Sequence, residues 1–358
     1  MTLAVCFHHD YPGVSLDIDF EAPVPGTTVL FGRSGAGKST IISVVAGLFR
    51  PASCHVSVNG TVLADTDRGV FIPPERRRIG LVFQDARLFP HMTVAGNLRY
   101  GLRRAAGRAI QFDEVVDLLG LERMLARRPG RLSGGERSRV AIGRALLSQP
   151  VLLAMDEPLA SLDEQHKAEI LPYLARLKHG LALPILYVTH ALDEVARLAD
   201  SLVLMRAGHV VASGALNAVL SRGDLPFAER EDAGAVLEAR VVAHDIGRHL
   251  STLAAGGRKL LVPMITDALG AELRVRVPAR EVILATEAPQ AISVQNVIAG
   301  TVRKITEDTA HHAALVEVAL DGAALLARVT PDAVARLGLR PDAPVLALVK
   351  SVAIEVLD

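Results

Sequence analysis

The chain has 358 residues, of which 39 are basic and 39 acidic, so its formal net charge is zero. This balance excludes the large basic excess of general nucleic-acid binders, and a hydrophobic fraction of 50% excludes a wholly disordered chain. Two cysteines exclude a disulfide framework, and no apolar run approaches the roughly 20 residues that span a bilayer. We therefore expect two or three folded domains in a reducing, cytosolic setting.

The first 215 residues alternate apolar strand-like runs with helical runs, which predicts an α/β domain with a largely parallel sheet. The strand candidates are 29–31, 79–83, 151–155, 185–189 and 201–205, and the helix candidates are 38–46, 136–147, 164–177 and 192–198. We expect this domain to cover residues 1–220 and a linker to follow at 221–234.

From residue 235 onwards the pattern changes to short strands and turns. Asp321-Gly322 separates two apolar runs, as in a tight β-hairpin, because glycine accepts the positive φ of such a turn. The segment 238–242 resembles 301–305, and the runs around both repeat at a similar offset. We therefore predict a divergent pair of β modules in residues 235–358, which together form a smaller all-β, OB-like unit.

A phosphate-binding loop is predicted at residues 32–40, which fit the pattern G-x-x-x-x-G-K-[ST] between a strand and a helix. Glycine N–H groups and the helix N-terminus attract phosphate oxygens, Lys38 would reach the β- and γ-phosphates, and Ser39 would bind Mg²⁺. An ordinary glycine-rich turn is the alternative, which the flanking strand and helix disfavour. The ATP-binding candidates here are Gly32, Arg33, Ser34, Gly35, Ala36, Gly37, Lys38, Ser39 and Thr40.

Two acids follow the strand candidate at 151–155. Asp156 would hold Mg²⁺, directly or through water, and Glu157 would polarise an attacking water molecule. Asp-Glu-Pro alone is equally typical of a capped turn, but its pairing with a phosphate loop favours the metal site. The cofactors that we expect are therefore ATP and Mg²⁺.

A helix start with a glycine pair lies at residues 132–136. Ser133 and Glu136 have the spacing of a capping box, and Gly134 and Gly135 let an anion approach the helix end closely. Taken alone, this segment indicates no more than a well-capped helix. Its interpretation depends on the motifs that surround it.

The order of motifs along this first domain resembles that of the ATP-binding subunits of ABC transporters. Residues 132–136 match the signature of that family, and Gln84 matches its Q-loop. Ser161 and Asp163 match its D-loop, and His190 matches its switch histidine. A lone histidine at a strand end is more often structural, but here it stands where the family has the partner of the γ-phosphate.

The resemblance implies a homodimer in which two ATP molecules lie head-to-tail between two copies of the domain. The signature residues, which would contact the ATP held by the opposite copy, are Ser133, Gly134, Gly135 and Glu136. The catalytic residues would be Glu157 and His190, and the Mg²⁺ ligands would be Ser39, Gln84 and Asp156.

The resemblance also implies partners. An integral-membrane permease would contact the segment from Gln84 to about Asn97, so the protein would lie peripherally on the cytoplasmic face of the inner membrane. A periplasmic or tethered oxyanion-binding protein would supply the cargo. We expect Tyr11, with Phe7 in reserve, to stack on adenine, and residues 76–78, three arginines, to form a solvated turn and not a nucleic-acid site.

Short polar motifs flank the last β module, at about residues 292–358. Ser293 and Asn296 near its start, and Lys350 and Ser351 near its end, resemble the ligand motifs of molybdate-binding Mop/TOBE modules. Serine hydroxyls, backbone N–H groups and one lysine suit a tetrahedral oxyanion. Strand-end residues without a ligand are the alternative interpretation.

The whole layout resembles the ATPases of molybdate importers, for which tungstate is a nearly isosteric second cargo. Gln295 departs from the basic residue that the module family often has at this position, which counts against direct oxyanion binding. Sulfate, iron or sugar importers are the alternatives within the family. A soluble ABC ATPase would carry long coiled-coil insertions or a second phosphate loop, and a pure oxyanion sensor would not need the hydrolysis motifs.

Overall fold

The structure, a computed structural model, describes residues 2–103, 109–160, 162–180, 183–225, 227, 230–309 and 311–357. The chain divides into two compact units, Met1–Gly214 and Ala215–Asp358. The division therefore lies at Gly214 and not at the predicted domain end, residue 220. The segment predicted as a linker, 221–234, belongs to the second unit.

The first unit is built on a mixed sheet. In chain order its strands are β1 (Thr2–Tyr11), β2 (Val14–Pro23), β3 (Thr27–Gly32), β4 (Ser53–Val58), β5 (Thr61–Asp65), β6 (Val70–Phe71), β7 (Ile79–Val82), β8 (Leu152–Asp156), β9 (Ile185–Thr189), β10 (Ser201–Arg206) and β11 (His209–Ala215). In space they follow the order β6-β5-β4-β1-β2-β11-β10-β3-β9-β8-β7. The strands from β10 to β7 pair in parallel, whereas β1, β2, β4, β5 and β6 pair antiparallel.

The predicted α/β fold is thus confirmed, and its parallel half contains the strand before the phosphate loop. Strands β3 and β9 are buried along their whole length, which explains why their sequences are continuous apolar runs. The antiparallel half, by contrast, includes β2, which alternates between buried and exposed side chains. The helices around this sheet are α1 (Lys38–Ala46), α2 (Val94–Arg103), α3 (Phe112–Leu118), α4 (Gly134–Leu147), α5 (Glu164–Gly180) and α6 (Leu192–Leu198).

The second unit begins with a short helix, α7 (Leu216–Leu220), and continues as two copies of one strand pattern. The first copy has β12 (Gly234–Asp245), β13 (Leu250–Ala255), β14 (Arg258–Pro263), β15 (Glu272–Pro278) and β16 (Val282–Ala285). The second copy has β17 (Asn296–Asp308), β18 (Ala313–Ala319), β19 (Ala324–Val329), β20 (Pro344–Val349) and β21 (Glu355–Leu357), with helix α8 (Pro331–Arg336) before β20. The predicted all-β character of this region is confirmed.

The two copies exchange their last strands. One sheet has the order β14-β13-β12-β15-β21, and the other has β16-β20-β17-β18-β19. Val275 of the first copy lies opposite Val356 of the second, and Leu284 lies opposite Ala347. Buried side chains from both copies form one hydrophobic core. The two β modules are therefore one folding unit and not two separable modules.

The segment between α7 and β12 is bound to the second copy. The Gly223 N–H donates to the buried Glu317 Oε1 at 2.7 Å. Asp224 forms ion pairs with Arg222, at 3.0 Å, and Lys304, at 3.3 Å. The Arg222 guanidinium, and then Lys304, lower the pKa of Asp224 to about 2. The expected linker is thus held in place by charge pairs and a buried carboxylate.

Arg77 contradicts the expectation that all three arginines at 76–78 are solvated. Its side chain is 1% exposed, and its guanidinium donates to the carbonyl oxygens of Ile72 (2.6 Å), Val44 (2.8 Å) and Val45 (2.9 Å). Val44 and Val45 lie in the last turn of α1, where carbonyl groups lack helical partners and a positive charge is favourable. Burial lowers the pKa of Arg77. Arg77 therefore caps the helix that follows the phosphate loop.

We predict that Arg77→Met lowers the free energy of unfolding of the first unit by about 2–3 kcal/mol, because three carbonyl oxygens lose a charged donor. The neighbouring Arg76 is exposed, so Arg76→Met is a matched control that should change stability by less than about 0.5 kcal/mol. Chemical denaturation at pH 7 measures both. Equal effects of the two substitutions would contradict the capping role.

Candidate functional site

The parallel register brings three strand ends to one edge of the first unit's sheet. Phe31 of β3 lies opposite Thr189 of β9, and Val188 of β9 lies opposite Asp156 of β8. The phosphate loop, His190 and the acid pair each follow one of these strands directly. Groups that are more than 150 residues apart in the chain are therefore neighbours in space.

The phosphate loop connects β3 to α1 by a turn that depends on glycine. Gly35 and Gly37 have left-handed φ angles of 79° and 97°. At Gly32 a Cβ atom would lie 2.5 Å from the Met205 carbonyl oxygen, so a larger residue would push β3 away from β10. Residues 37–40 line a cavity at the N-terminus of α1, where helix N–H groups attract anions.

Lys38 is buried at the centre of this loop. Its ammonium group donates to the carbonyl oxygens of Gly32 at 2.8 Å and Arg33 at 3.1 Å. It also lies 3.7 Å from Glu157 Oε1. Burial lowers the pKa of Lys38, while the carboxylates of Glu157 and Asp156 oppose that shift. A positive charge is thus fixed between the loop backbone and the acid pair.

Ser39 and the acid pair provide hard oxygen ligands side by side. Ser39 Oγ donates to Asp156 Oδ1 at 3.0 Å, and burial raises the pKa of Asp156. Glu157 adopts a left-handed φ of 45°, which turns it towards His190, with 3.2 Å between Oε2 and Nδ1. Hydroxyl and carboxylate oxygens in contact fit the ligand preference of Mg²⁺. The residues present therefore suit the metal that the sequence predicted.

A cavity of about 380 Å³ lies against these groups. Most of the predicted ATP-binding residues meet there, together with two apolar residues that were not predicted. Its lining consists of Tyr11, Val14, Leu16, Ser34, Gly35, Gly37, Lys38, Ser39, Thr40, Gln84 and Glu157. Gly32, Arg33 and Ala36 belong to the loop but lie outside this lining.

Tyr11 is the aromatic residue of this cavity, and Phe7 is not. Phe7 is buried in the hydrophobic core, which excludes it as the reserve for adenine stacking. Tyr11 is 39% exposed and stacks on Phe49, with 5.9 Å between ring centroids. His9 contacts both rings edge-on. Phe49 carries no motif signal in the sequence, since its role depends on the fold of α1 against β1.

The signature segment forms the predicted capping box. Ser133 Oγ accepts from the Glu136 N–H at 3.2 Å, and Glu136 Oε2 accepts from the Ser133 N–H at 2.7 Å. At Gly134 and Gly135, Cβ atoms would lie 2.6 Å from Leu162 and 2.8 Å from Ile170. The two glycines therefore let the segment pack on the D-loop and α5. The four signature residues, Ser133, Gly134, Gly135 and Glu136, are not part of the described lining of the cavity.

The D-loop is fixed by Asp163. Its carboxylate accepts from the His166 N–H at 2.9 Å and contacts the His166 ring nitrogen Nδ1 at 2.8 Å. The backbone hydrogen bond from His166, and then the ring contact, lower the pKa of Asp163. This contact holds the start of α5. Ser161, the other D-loop candidate, lies outside the described residues.

The four predicted oxyanion residues divide into two pairs. Asn296 and Ser351 are buried, and they contact each other at 3.3 Å. Asn296 is also bound to the Leu261 backbone, accepting from its N–H at 2.7 Å and donating to its carbonyl oxygen at 2.9 Å. Ser293 and Lys350, in contrast, are exposed. Asn296 therefore joins β17 to β14 of the other copy, a structural role that its motif did not indicate.

Comparisons with known proteins agree with this arrangement. The ABC transporter family model matches residues 16–160, and the TOBE domain model matches 292–356. The molybdenum import ATP-binding protein ModC of Granulibacter bethesdensis is 51% identical, over 99% of this chain and 98% of its own. ModC 1 of Azotobacter vinelandii is 48% identical, over 97% of both chains.

Two solved structures share the fold of the first unit. The structure of cbiO1 from Clostridium perfringens, described as part of the ABC transporter complex cbiONQ, matches with a TM-score of 0.53 and 27% identity. It covers 62% of this chain and 91% of its own. A dimeric ATP-binding cassette bound to ADP and Pi matches with a TM-score of 0.50 and 24% identity, over 60% of this chain and 99% of its own.

The chain therefore belongs to the ATP-binding proteins of ABC transporters, with a C-terminal TOBE domain, and it is an ATP-hydrolysing subunit. Within that family, its full-length relatives are the molybdenum import ATP-binding proteins named ModC. Among the helices that the structure describes, none is both long and apolar enough to cross a membrane.

Proposed function

We propose that the chain powers molybdate uptake by hydrolysing ATP at the described sheet edge, with tungstate as a second cargo. One observation carries the chemistry, namely Glu157 lying between the Lys38 ammonium and the His190 ring, at 3.7 and 3.2 Å. The cargo assignment is supported by relatives named for molybdenum import, which match the TOBE region as well as the ATPase.

The proposed chemistry divides the work among these side chains. Glu157 polarises the attacking water and accepts its proton, and His190, in contact with Glu157, contacts the γ-phosphate. Lys38 and the N–H groups of α1 neutralise the charge that develops on the phosphate oxygens. Ser39, Gln84 and Asp156 would hold Mg²⁺, which adds positive charge against the phosphates when bound.

The protein is proposed to act as a homodimer. The signature residues lie outside the lining of their own cavity, and the capped N-terminus of α4 is suited to an anion. A second copy, placed head-to-tail, would present Ser133, Gly134, Gly135 and Glu136 to the ATP held in the first copy. Asp163 and the D-loop, on which the signature packs, would then lie close to the same interface.

The membrane partners follow from the family. We propose that the segment from Gln84 to about Asn97 contacts an integral-membrane permease, with the protein peripheral on the cytoplasmic face of the inner membrane. A periplasmic or tethered oxyanion-binding protein would deliver the cargo to that permease. The neutral net charge of the chain is consistent with a surface that is covered by partners rather than by a polyanion.

A second proposed role belongs to the TOBE region, which would sense oxyanion inside the cell. The exposed Lys350 and Ser293 are available as ligands, and Ser351 lies next to Lys350 in the chain. Asn296 would act indirectly, by holding Ser351 and the Leu261 backbone in place. Oxyanion binding could regulate the ATPase only if its affinity differs between two states of the dimer.

Uptake into proteoliposomes tests the transport proposal. Vesicles that contain the full chain and its cognate permease, with ATP and Mg²⁺ inside and the binding protein outside, are expected to accumulate molybdate. Tungstate should compete, and an equal concentration of sulfate should not. Vesicles loaded with ADP are the control and should accumulate none. Transport of sulfate, iron or sugar instead of molybdate would contradict the cargo assignment.

Two substitutions in the full chain separate ligand binding from structure in the TOBE region. Lys350→Met is expected to weaken molybdate binding at least about tenfold, with Tm unchanged, because an exposed charge is lost. Asn296→Ala should lower Tm, since it removes both hydrogen bonds to Leu261. Lys259→Met, at an exposed lysine of the first copy, is the matched control. Calorimetric titration that detects no millimolar binding to the unmodified chain would refute the sensor role.

A further inference from the structure

One arginine of the signature helix holds the backbone of the Q-loop, defined here as residues 84–93. Arg144 lies near the end of α4 and donates from Nη1 to the Arg87 carbonyl oxygen at 2.8 Å. It also donates from Nη2 to the Ala86 carbonyl oxygen at 3.2 Å. The same helix begins at the signature residue Ser133, so one rigid element of 14 residues, about 21 Å long, reaches both.

The Q-loop needs such support because part of its backbone is strained. Arg87 adopts a left-handed φ of 44°, which is costly for a residue with a side chain. Two residues later, Phe89 is held by Asn97, which accepts from the Phe89 N–H at 2.8 Å and donates to its carbonyl oxygen at 3.2 Å. The guanidinium of Arg144 also lies 5.2 Å from the centroid of the Phe89 ring. The loop is therefore bound by α4 on one side and by α2 on the other.

The two helices cannot move apart at this point without losing contact. A Cβ atom at Gly101 of α2 would collide with the Arg144 carbonyl oxygen, so the two backbones touch. A Cβ atom at Gly143 of α4 would lie 2.8 Å from the Leu98 side chain of α2. A displacement of α4 is therefore transmitted to α2 and to both supports of the Q-loop.

We propose that Arg144 is a positioning residue that couples the signature helix to Gln84, so that Gln84 reaches the nucleotide correctly only when α4 is correctly seated. This inference rests on the proposed ATPase and its dimer, since the signature of each copy contacts the ATP of the other. Arginine is suited to the task, because its planar fork spans two carbonyl oxygens, which a lysine ammonium does not. The two ATP sites of a dimer would be linked through this contact.

Arg139 offers a matched control on the same helix. It donates to the carbonyl oxygens of Leu119 and Gly120, at 3.0 and 3.3 Å, and lies 4.9 Å from the centroid of the Tyr173 ring. Its contacts are thus of the same kind as those of Arg144, but they do not involve the Q-loop. Loss of stability alone should affect both substitutions, whereas loss of coupling should affect only one.

Steady-state ATP hydrolysis by the purified full chain is the first test. Arg144→Met is expected to lower kcat at least about tenfold while KM for ATP changes less than about threefold, because the phosphate loop is intact. Arg144→Lys should be intermediate, and Arg139→Met should keep kcat within about twofold of the unmodified chain even if its Tm falls. Equal losses of kcat in Arg144→Met and Arg139→Met would overturn the proposal.

Hydrogen exchange of the peptide at 84–93 is the second test, and it does not require turnover. Addition of ATP and Mg²⁺ should slow its exchange in the unmodified chain and in Arg139→Met, and should leave it unchanged in Arg144→Met. Protection that persists in Arg144→Met would overturn the coupling role. An unmodified chain that fails to hydrolyse ATP would count against the proposed function, while the exchange result would still decide the role of Arg144.

Discussion

Parallel pairing of β3, β9 and β8 in one register is the constraint on which the ATP site depends. It brings the phosphate loop, His190 and the acid pair to one sheet edge, where Lys38 and His190 lie 3.7 and 3.2 Å from Glu157. A shift by one residue in either strand pairing would move Asp156 away from Ser39, with which it shares a 3.0 Å hydrogen bond. Helix α1 is held in this arrangement by glycine at its start and by the buried Arg77 at its end.

Local signals made the fold class and the site's main residues predictable. The phosphate loop, the acid pair and the capping box each combine residue type and spacing within ten positions, so they are visible without a structure. Arg77 was mispredicted because it is one of three adjacent arginines, and its burial depends on carbonyl groups of α1 that are more than 30 residues away. Phe49 and Arg144 were missed for the same reason, since their partners lie in other elements.

The second unit shows the same limit on a larger scale. The repeat of its two copies was visible in the sequence, but the exchange of β16 and β21 was not, because pairing partners are chosen by tertiary contacts. Asn296 illustrates the consequence, since it joins β17 to Leu261 of the other copy. A polar motif at a module boundary can therefore serve the joint between modules, and exposed residues such as Lys350 are better candidates for ligand contact.

The most direct test of the account is phosphate release by the purified full chain in the presence of ATP and Mg²⁺, compared with Glu157→Gln. The substitution retains the size of the side chain and removes the carboxylate that lies between Lys38 and His190. We predict that kcat falls at least about 100-fold, whereas the affinity for ATP stays within about threefold. Hydrolysis by Glu157→Gln at the rate of the unmodified chain would contradict the assignment of this sheet edge as the catalytic site.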